Sequence, residues 1–257
     1  MLDIERVGRR FPNGTEALRD LSLHLASGDF MALLGPSGCG KSTLLRLIAG
    51  LDRPDAGRLA WEDGPPGPGR IGFVFQDATL LPWATAAENV GLPLRLRRTE
   101  PGEAVSAALA RVGLAEFAQA RPHALSGGMR MRVSIARALV SRPSLLLMDE
   151  PFAALDEFTR HGLQDDLLSL WREARCTVVF VTHSIYEAAF LARHIVVMTP
   201  RPGRVATQIA SSGFATRLDP AYAALVAEVT EAIRRPGALP PNPEAWDPVG
   251  ARRPQTP

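Results

Sequence analysis

The sequence predicts an α/β protein with a mainly parallel sheet covered by helices. Three apolar runs are typical of strands buried on both faces: FMALLG at residues 30–35, SLLLMDE at 144–150 and CTVVFVTH at 176–183. A helical pattern at residues 157–174 lies between the last two runs. Strands that alternate with helices in this way predict a parallel sheet with helices packed on its faces.

Composition limits the classes of protein that this chain could be. Its 257 residues, 46% of them hydrophobic, are enough for one globular unit with a substantial core. A net charge of +2 gives no strong attraction to nucleic acid, and two cysteines cannot form a disulfide framework. The N-terminus lacks a secretory pattern, and no apolar run reaches the roughly 18 residues of a membrane span. We therefore expect a cytoplasmic protein, and if a membrane is involved, another chain crosses it.

The remaining segments complete the predicted order of elements. Alternating residues in LDIERV (2–7) and LSLHLA (21–26) predict strands, and IGFVFQ (71–76) predicts another after a Pro/Gly-rich turn at 62–69. Residues 88–138 have a helical pattern.

Two helices late in the chain have distinct sequence signals. The helix predicted at 157–174 carries Leu163, Leu167 and Trp171 on one face, as a core-facing helix does. Ser184 and Glu187 have the spacing of a capping box and predict a helix start directly after the last apolar run.

The segment GPSGCGKST (35–43) matches the phosphate-binding pattern G-x-x-x-x-G-K-[ST] between a predicted strand and a predicted helix. Glycines let the backbone N–H groups turn towards one anion, and the following helix adds its positive end. Lys41 would reach the β- and γ-phosphates of a nucleotide, and the Ser42 hydroxyl would ligate Mg²⁺. The predicted phosphate-binding residues are Gly35, Pro36, Ser37, Gly38, Cys39, Gly40, Lys41, Ser42 and Thr43.

Lys41 is the single lysine among 29 lysine and arginine residues. A compact ammonium fits between phosphate oxygens, whereas a planar guanidinium needs more room. The composition therefore marks Lys41 as a position where arginine cannot serve. We interpret the neighbouring Cys39 as a small filler of the loop and not as a redox centre.

An acidic pair, Asp149 and Glu150, ends the apolar run 144–150. Such a pair is often only an exposed strand end, but the phosphate-binding loop favours a functional role. Asp149 would hold Mg²⁺ through water, and Glu150 would orient and deprotonate the water that attacks the nucleotide.

The segment LSGGMRMRVSIARAL resembles the signature of the ABC ATPase family, usually written LSGGQ. Small residues at a helix start can present a hydroxyl and N–H groups to a phosphate, which in the family belongs to ATP held by the opposite subunit. A methionine replaces the usual glutamine. The signature residues are Leu125, Ser126, Gly127, Gly128 and Met129.

The resemblance covers roughly residues 2–205 and implies further roles. Phe11 occupies the place of the aromatic residue that stacks on adenine, although an ordinary core position is the alternative. Gln76 resembles the glutamine that touches Mg²⁺ and couples the nucleotide to the membrane partner. Asp156 resembles the D-loop aspartate at the dimer interface, and His183 resembles the switch histidine that senses the γ-phosphate and supports the base.

The resemblance also implies a fold and its boundaries. The implied fold is the α/β fold of P-loop NTPases. It has a RecA-like core of the ABC ATPase type, an N-terminal antiparallel β-subdomain and an inserted helical subdomain. A single domain would span residues 1–235, with the core at about 1–84 and 142–205 and the helices at about 85–141. The proline-rich composition of 236–257 is typical of a disordered or surface-draped tail.

The implied function is ATP hydrolysis, with Mg²⁺, by two copies that share two sites. The copies would sit at the cytoplasmic face of the inner membrane and drive separate permease subunits, with a solute-binding protein as an indirect partner and no nucleic acid. The segments PPGPGRIGFVFQ, LLPWATAAENV, ALDEFTR and VVMTPRPGRV resemble the nitrate, sulfonate and taurine importers, with pyrimidine-precursor importers close by.

Alternatives remain at two levels. A soluble ABC ATPase would share the motifs, but a relative acting in DNA repair would contain a long coiled coil and one acting in translation would contain two nucleotide domains, and the sequence shows neither. The short spacing between Gln76 and Ser126 suits the compact helical subdomain of a transporter, and a small-molecule kinase would lack the signature. Within the importer interpretation, residues 80–83 would contact the permease, and the alternative is an apolar loop packed internally.

Overall fold

The computed structural model describes residues 1–211, 213, 214 and 216–234, so the predicted tail lies outside the described residues. This part of the chain forms two sheets flanked by helices. The strands are β1 (Leu2–Arg10), β2 (Glu16–Leu25), β3 (Phe30–Leu34), β4 (Ala56–Trp61), β5 (Ile71–Val74), β6 (Leu145–Asp149), β7 (Thr177–Thr182), β8 (His194–Met198) and β9 (Val205–Ala210). The helices are α1 (Lys41–Ile48), α2 (Ala86–Leu96), α3 (Ala104–Arg111), α4 (Gly127–Leu139), α5 (Glu157–Ala174), α6 (Ile185–Leu191) and α7 (Pro220–Arg234).

The larger sheet has the strand order β5-β6-β7-β3-β8-β9. Its first five strands are parallel to their neighbours, and β9 pairs antiparallel with β8 at the edge. Both faces of β3 and β7 are covered, which is why their sequences are continuously apolar. The predicted parallel sheet is therefore confirmed, while β8, β9 and α7 are elements that the sequence analysis did not predict.

The smaller sheet is antiparallel, with the order β2-β1-β4. It confirms the predicted N-terminal β-subdomain, whose two predicted strands pair with each other. The sequence analysis missed β4, because its residues are exposed or half-buried and show no clear alternation. Gly57 in β4 is required for close pairing, since a Cβ there would lie 2.3 Å from the carbonyl oxygens of Glu5 and Arg6.

The helical pattern at residues 88–138 is confirmed as α2, α3 and α4, with two short 3₁₀ turns between α3 and α4. Thr85 and Glu88 form a reciprocal capping box that starts α2. The face of α5 predicted from its leucines is also confirmed, because Leu163, Leu167 and Trp171 are all buried.

None of the helices in the described part of the chain is both long and apolar enough to cross a membrane.

An aromatic cluster lies in the core on one face of the larger sheet. The ring of Phe180 on β7 is fully buried, with its centroid 6.1 Å from Phe30 and 5.6 Å from Phe152. The Phe30 ring in turn meets Trp171 edge to face at 5.3 Å. These contacts hold α5 against the sheet.

Phe180→Ala should lower the free energy of unfolding by about 3–5 kcal/mol, because it leaves a cavity in this cluster. Urea unfolding followed by fluorescence measures the change. Trp83→Ala is the matched control: Trp83 is 70% exposed, so its removal should change stability by less than about 0.5 kcal/mol. Equal losses in the two variants would contradict this account of the core.

Candidate active site

The phosphate-binding loop connects β3 to α1, which begins at Lys41. Gly38 and Gly40 have φ angles of +73° and +107°, a region that favours glycine, so the loop curls as the sequence pattern predicts. A Cβ on Gly40 would also lie 2.8 Å from the Ala17 carbonyl oxygen. The loop is therefore fixed both by its own backbone conformation and by its packing on β2.

The side chain of Lys41 is folded into this loop and is only 4% exposed. Its Nζ donates hydrogen bonds to the carbonyl oxygens of Gly35 (2.7 Å) and Pro36 (3.1 Å). Cys39 is buried next to it, and burial raises the pKa of its thiol, which disfavours the reactive thiolate. This agrees with the interpretation of Cys39 as a filler of the loop.

Ser42 and Asp149 meet although they are 107 residues apart in the sequence. The Ser42 hydroxyl donates to Asp149 Oδ1 at 3.0 Å, because α1 starts beside the end of β6. Burial raises the pKa of Asp149, while the hydrogen bond from Ser42 opposes that shift. A hydroxyl and a partly desolvated carboxylate are hard oxygen donors, a set that fits Mg²⁺.

Glu150 and His183 form the second polar pair of the site. His183 Nδ1 lies 3.1 Å from Glu150 Oε2. Glu150 has a φ of +47°, an unusual conformation for a residue other than glycine, and its N–H donates to the Val181 carbonyl oxygen at 3.0 Å. Strained backbone of this kind is typical of functional sites.

Ser184 caps the start of α6, the helix after His183, and its hydroxyl accepts a hydrogen bond from the Glu187 N–H at 3.3 Å. The other half of the predicted capping box, in which the Glu187 carboxylate would accept from the Ser184 N–H, is wrong. The Glu187 carboxylate accepts from the Thr182 hydroxyl, and that hydroxyl accepts from the Ser184 N–H at 3.0 Å. Burial raises the pKa of Glu187, and the Arg160 guanidinium lies 3.7 Å from its carboxylate.

A cleft of about 410 Å³ brings nine of the predicted site residues together, which are Phe11, six residues of the phosphate-binding loop, Gln76 and Glu150. Gln76 lies in its wall, although β5 ends at Val74 and not at Gln76 as the apolar run suggested. Phe11 is half-buried, and it packs on the core and also lines the cleft. The residues that line the cleft are Phe11, Thr15, Ala17, Ser37, Gly38, Gly40, Lys41, Ser42, Thr43, Gln76, Glu150 and Arg201.

The predicted signature residues do not line this cleft. Ser126 caps α4, and its hydroxyl accepts from the Met129 N–H at 3.2 Å. A Cβ on Gly128 would lie 2.4 Å from Thr159 Cγ2, so a glycine is needed where α4 approaches α5. Asp156 caps α5 by accepting from the Thr159 N–H at 3.0 Å, and that hydrogen bond lowers the pKa of Asp156.

Three polar residues that the sequence analysis missed hold the loops around the site. Arg137 on α4 donates to the carbonyl oxygens of Ala78 and Thr79, just after Gln76. The buried Asn89 accepts from the Leu81 N–H and donates to carbonyl groups of the same loop. Arg201 donates from Nε to the Gly38 carbonyl oxygen at 2.9 Å. The contacts of Arg137 and Arg201 are made with distant segments, so no local pattern predicts them. Asn89 contacts a loop only five to eight residues before it, but its sequence context carries no recognised signal for this contact.

Comparison with known proteins places this geometry in a family. The family model described as ABC transporter matches residues 18–153. The chain is 41% identical to the nitrate import ATP-binding protein NrtD of Synechococcus elongatus, covering 91% of this chain and 92% of that protein. It is 48% identical to the taurine import ATP-binding protein TauB of Chromobacterium violaceum, covering 79% and 80%.

A solved structure agrees with the sequence relatives. The dimeric post-hydrolysis state of the ATP-binding cassette MJ0796, bound to ADP and Pi, matches with a TM-score of 0.72 and 34% identity, covering 83% of this chain and 100% of that one. The family model covers more than half of the chain, and the fold and the motifs agree with it. The chain therefore belongs to the ABC transporter family, as one of its ATP-hydrolysing cassettes.

Proposed function

We propose that this chain is the ATPase subunit of an ABC importer, in which two copies close around two ATP molecules. The observation that carries the proposal is the separation of the site into two parts. One cleft contains Lys41, Ser42 and Glu150, whereas Ser126 and Gly128 lie outside it at the start of α4. A second copy would bring its signature residues to the open side of the cleft, and the solved relative described above is dimeric.

The phosphate chain of ATP would bind along the loop between β3 and α1. Gly38 and Gly40 curl this loop at the start of α1, where backbone N–H groups can bind an anion, and the Lys41 ammonium lies within the same curl. Lys41 would stabilise negative charge on the transferred phosphoryl group. Phe11 at the edge of the cleft offers a face on which the adenine could stack.

Ser42, Asp149 and Gln76 are the residues that would hold Mg²⁺. Two of them are already in hydrogen-bond contact, and the third lies in the wall of the same cleft. When bound, the ion would neutralise charge on the phosphate oxygens.

Glu150 would act as the general base that takes the proton of the attacking water. Its carboxylate lies in the cleft wall, 3.1 Å from His183. His183 would orient this carboxylate and contact the γ-phosphate. Glu187 and Thr182 hold the turn on either side of His183, so the backbone that carries the imidazole is fixed.

The loop at residues 80–83 would contact the permease. Asn89 fixes its backbone from within, while Trp83 points outward with 70% of its surface exposed. Leu80, in contrast, packs partly on the core. A rigid loop that exposes a large aromatic residue is typical of a docking surface.

The transported solute would be small, such as nitrate, taurine, an alkanesulfonate or a pyrimidine precursor. Support comes from relatives whose names specify nitrate and taurine import. A separate binding protein would capture the solute, and Mg·ATP hydrolysis at the cytoplasmic face of the inner membrane would power its entry. These relatives give no support to a soluble ATPase of DNA repair.

Lys41→Arg should reduce ATP turnover about a hundredfold, because the guanidinium cannot occupy the space of the ammonium within the loop. Steady-state phosphate release measures this loss. Arg46→Lys, on the exposed side of α1, exchanges the same two residue types outside the cleft and should leave turnover unchanged. Wild-type activity in Lys41→Arg would exclude the proposed role of Lys41.

Glu150→Gln should bind ATP with nearly normal affinity but hydrolyse it at least about a hundredfold more slowly, since the amide cannot accept the proton of water. The variant should accumulate as a dimer in Mg·ATP, which size-exclusion chromatography measures. Glu228→Gln, on the exposed side of α7, is the control for loss of one charge. Near-normal turnover in Glu150→Gln would show that another group is the base.

A photo-crosslinking amino acid in place of Trp83 should react with the membrane subunit when the complex is purified intact from membranes. The same amino acid in place of Leu218, which is 89% exposed and lies before α7, is the control and should give no such product. Mass spectrometry of the crosslinked peptides identifies the partner. If only the Leu218 variant reached the membrane subunit, the docking surface would lie elsewhere.

A further inference from the structure

Arg201 lies in the wall of the nucleotide cleft, on the hairpin that joins β8 to β9. We propose that Arg201 binds the phosphate chain of the nucleotide, as a second cationic ligand beside Lys41. The inference rests on the proposed function of the cleft and gives a role to a residue of the segment VVMTPRPGRV, to which the sequence analysis assigned no part in nucleotide binding.

The hairpin is held in place by backbone hydrogen bonds on both sides. Gly203 donates to the Ala17 carbonyl oxygen at 2.9 Å, and its own carbonyl accepts from the Arg19 N–H at 3.1 Å. Within the turn, the Thr199 N–H donates to the Arg204 carbonyl oxygen at 3.0 Å. The backbone that carries Arg201 is thus positioned before any ligand arrives.

The hairpin also lies directly against the phosphate-binding loop. A Cβ on Gly203 would be 2.0 Å from the Cys39 carbonyl oxygen, so only glycine permits this approach. The position that a Cβ of Gly38 would take lies 2.7 Å from Nη2 of Arg201. Gly203 therefore permits the hairpin to approach the loop, and the lack of a side chain at Gly38 leaves room for the guanidinium against it.

The guanidinium is anchored at only one of its nitrogen atoms. Nε donates to the Gly38 carbonyl oxygen at 2.9 Å. In the part of the chain that the structure describes, neither Nη group has a hydrogen-bond acceptor and no carboxylate forms an ion pair with Arg201. The remaining N–H donors are therefore available to a ligand of the cleft.

The charge of the cleft favours an anionic ligand at this position. Lys41 and Arg201 are the two cationic side chains among the residues that line it, and Lys41 is directed into the loop. A guanidinium presents a planar pair of donors that matches two phosphate oxygens. Arg201 would therefore contact phosphate from the outer side of the loop, opposite the base of the curl where Lys41 lies.

Calorimetric titration with ADP and with inorganic pyrophosphate tests this contact in the full chain. Arg201→Ala should weaken the binding of both ligands about tenfold, the size expected for one charge-assisted hydrogen bond. Pyrophosphate has no base or ribose, so an equal loss for both ligands assigns the contact to phosphate. Arg204→Ala, three residues along the same hairpin and outside the cleft lining, is the control and should change neither affinity by more than about twofold.

Arg201→Gln separates a phosphate contact from a role in holding the loop. Its amide can still donate to the Gly38 carbonyl oxygen but carries no charge, so it should bind both ligands as weakly as Arg201→Ala while its melting temperature without nucleotide stays that of the wild type. Wild-type affinity in Arg201→Gln, a loss restricted to ADP, or an equal loss in Arg204→Ala would each overturn the inference. If the wild-type protein bound neither ligand, the proposed function itself would fail.

Discussion

The parallel pairing of β3 with its neighbours is the constraint on which the site depends. In a parallel sheet the carboxyl ends of all strands meet at one edge. Leu34 at the end of β3 is in register with Thr182 on β7 and Val197 on β8, and Asp149 on β6 is in register with Val181. The segments that follow these strands therefore reach the same cleft. They are the phosphate-binding loop after β3, Gln76 after β5, Glu150 after β6 and Arg201 after β8. His183 after β7 contacts Glu150 beside the cleft.

Hydrogen bonds between these segments then fix each polar group. The carboxylate of Glu187 connects the turn around His183 to Arg160, whose guanidinium donates to the Leu155 carbonyl oxygen just before Asp156. The histidine turn and the start of α5 are thus connected through Arg160, which contacts both of them. On the other side, Arg137 ties the loop after Gln76 to α4, the helix that begins with the signature.

Much of the fold could be predicted because its signals are local. The helix expected at 157–174 has those bounds in the structure, and β3, β6 and β7 lie within the apolar runs that predicted them. The edge strands β4 and β9 were harder to predict from the sequence. β4 and β9 each pair on one side only, so their sequences need not be continuously apolar, and α7 follows a segment with no recognised motif. One half of the capping box predicted at Ser184 is absent, because the Glu187 carboxylate accepts a hydrogen bond from the Thr182 hydroxyl on β7 instead.

The sequence by itself determined the chemistry of the loop, because the φ angles of Gly38 and Gly40 and the position of Lys41 at the start of α1 follow from local residue preferences. It also determined which residues could bind phosphate or accept a proton. Only the tertiary structure decided which of these groups meet. Glu150 and His183 are 33 residues apart, and Arg201 and Gly38 are 163 residues apart. Their contacts depend on strand order and register, which are set by the packing of the whole sheet and leave no trace in either local sequence.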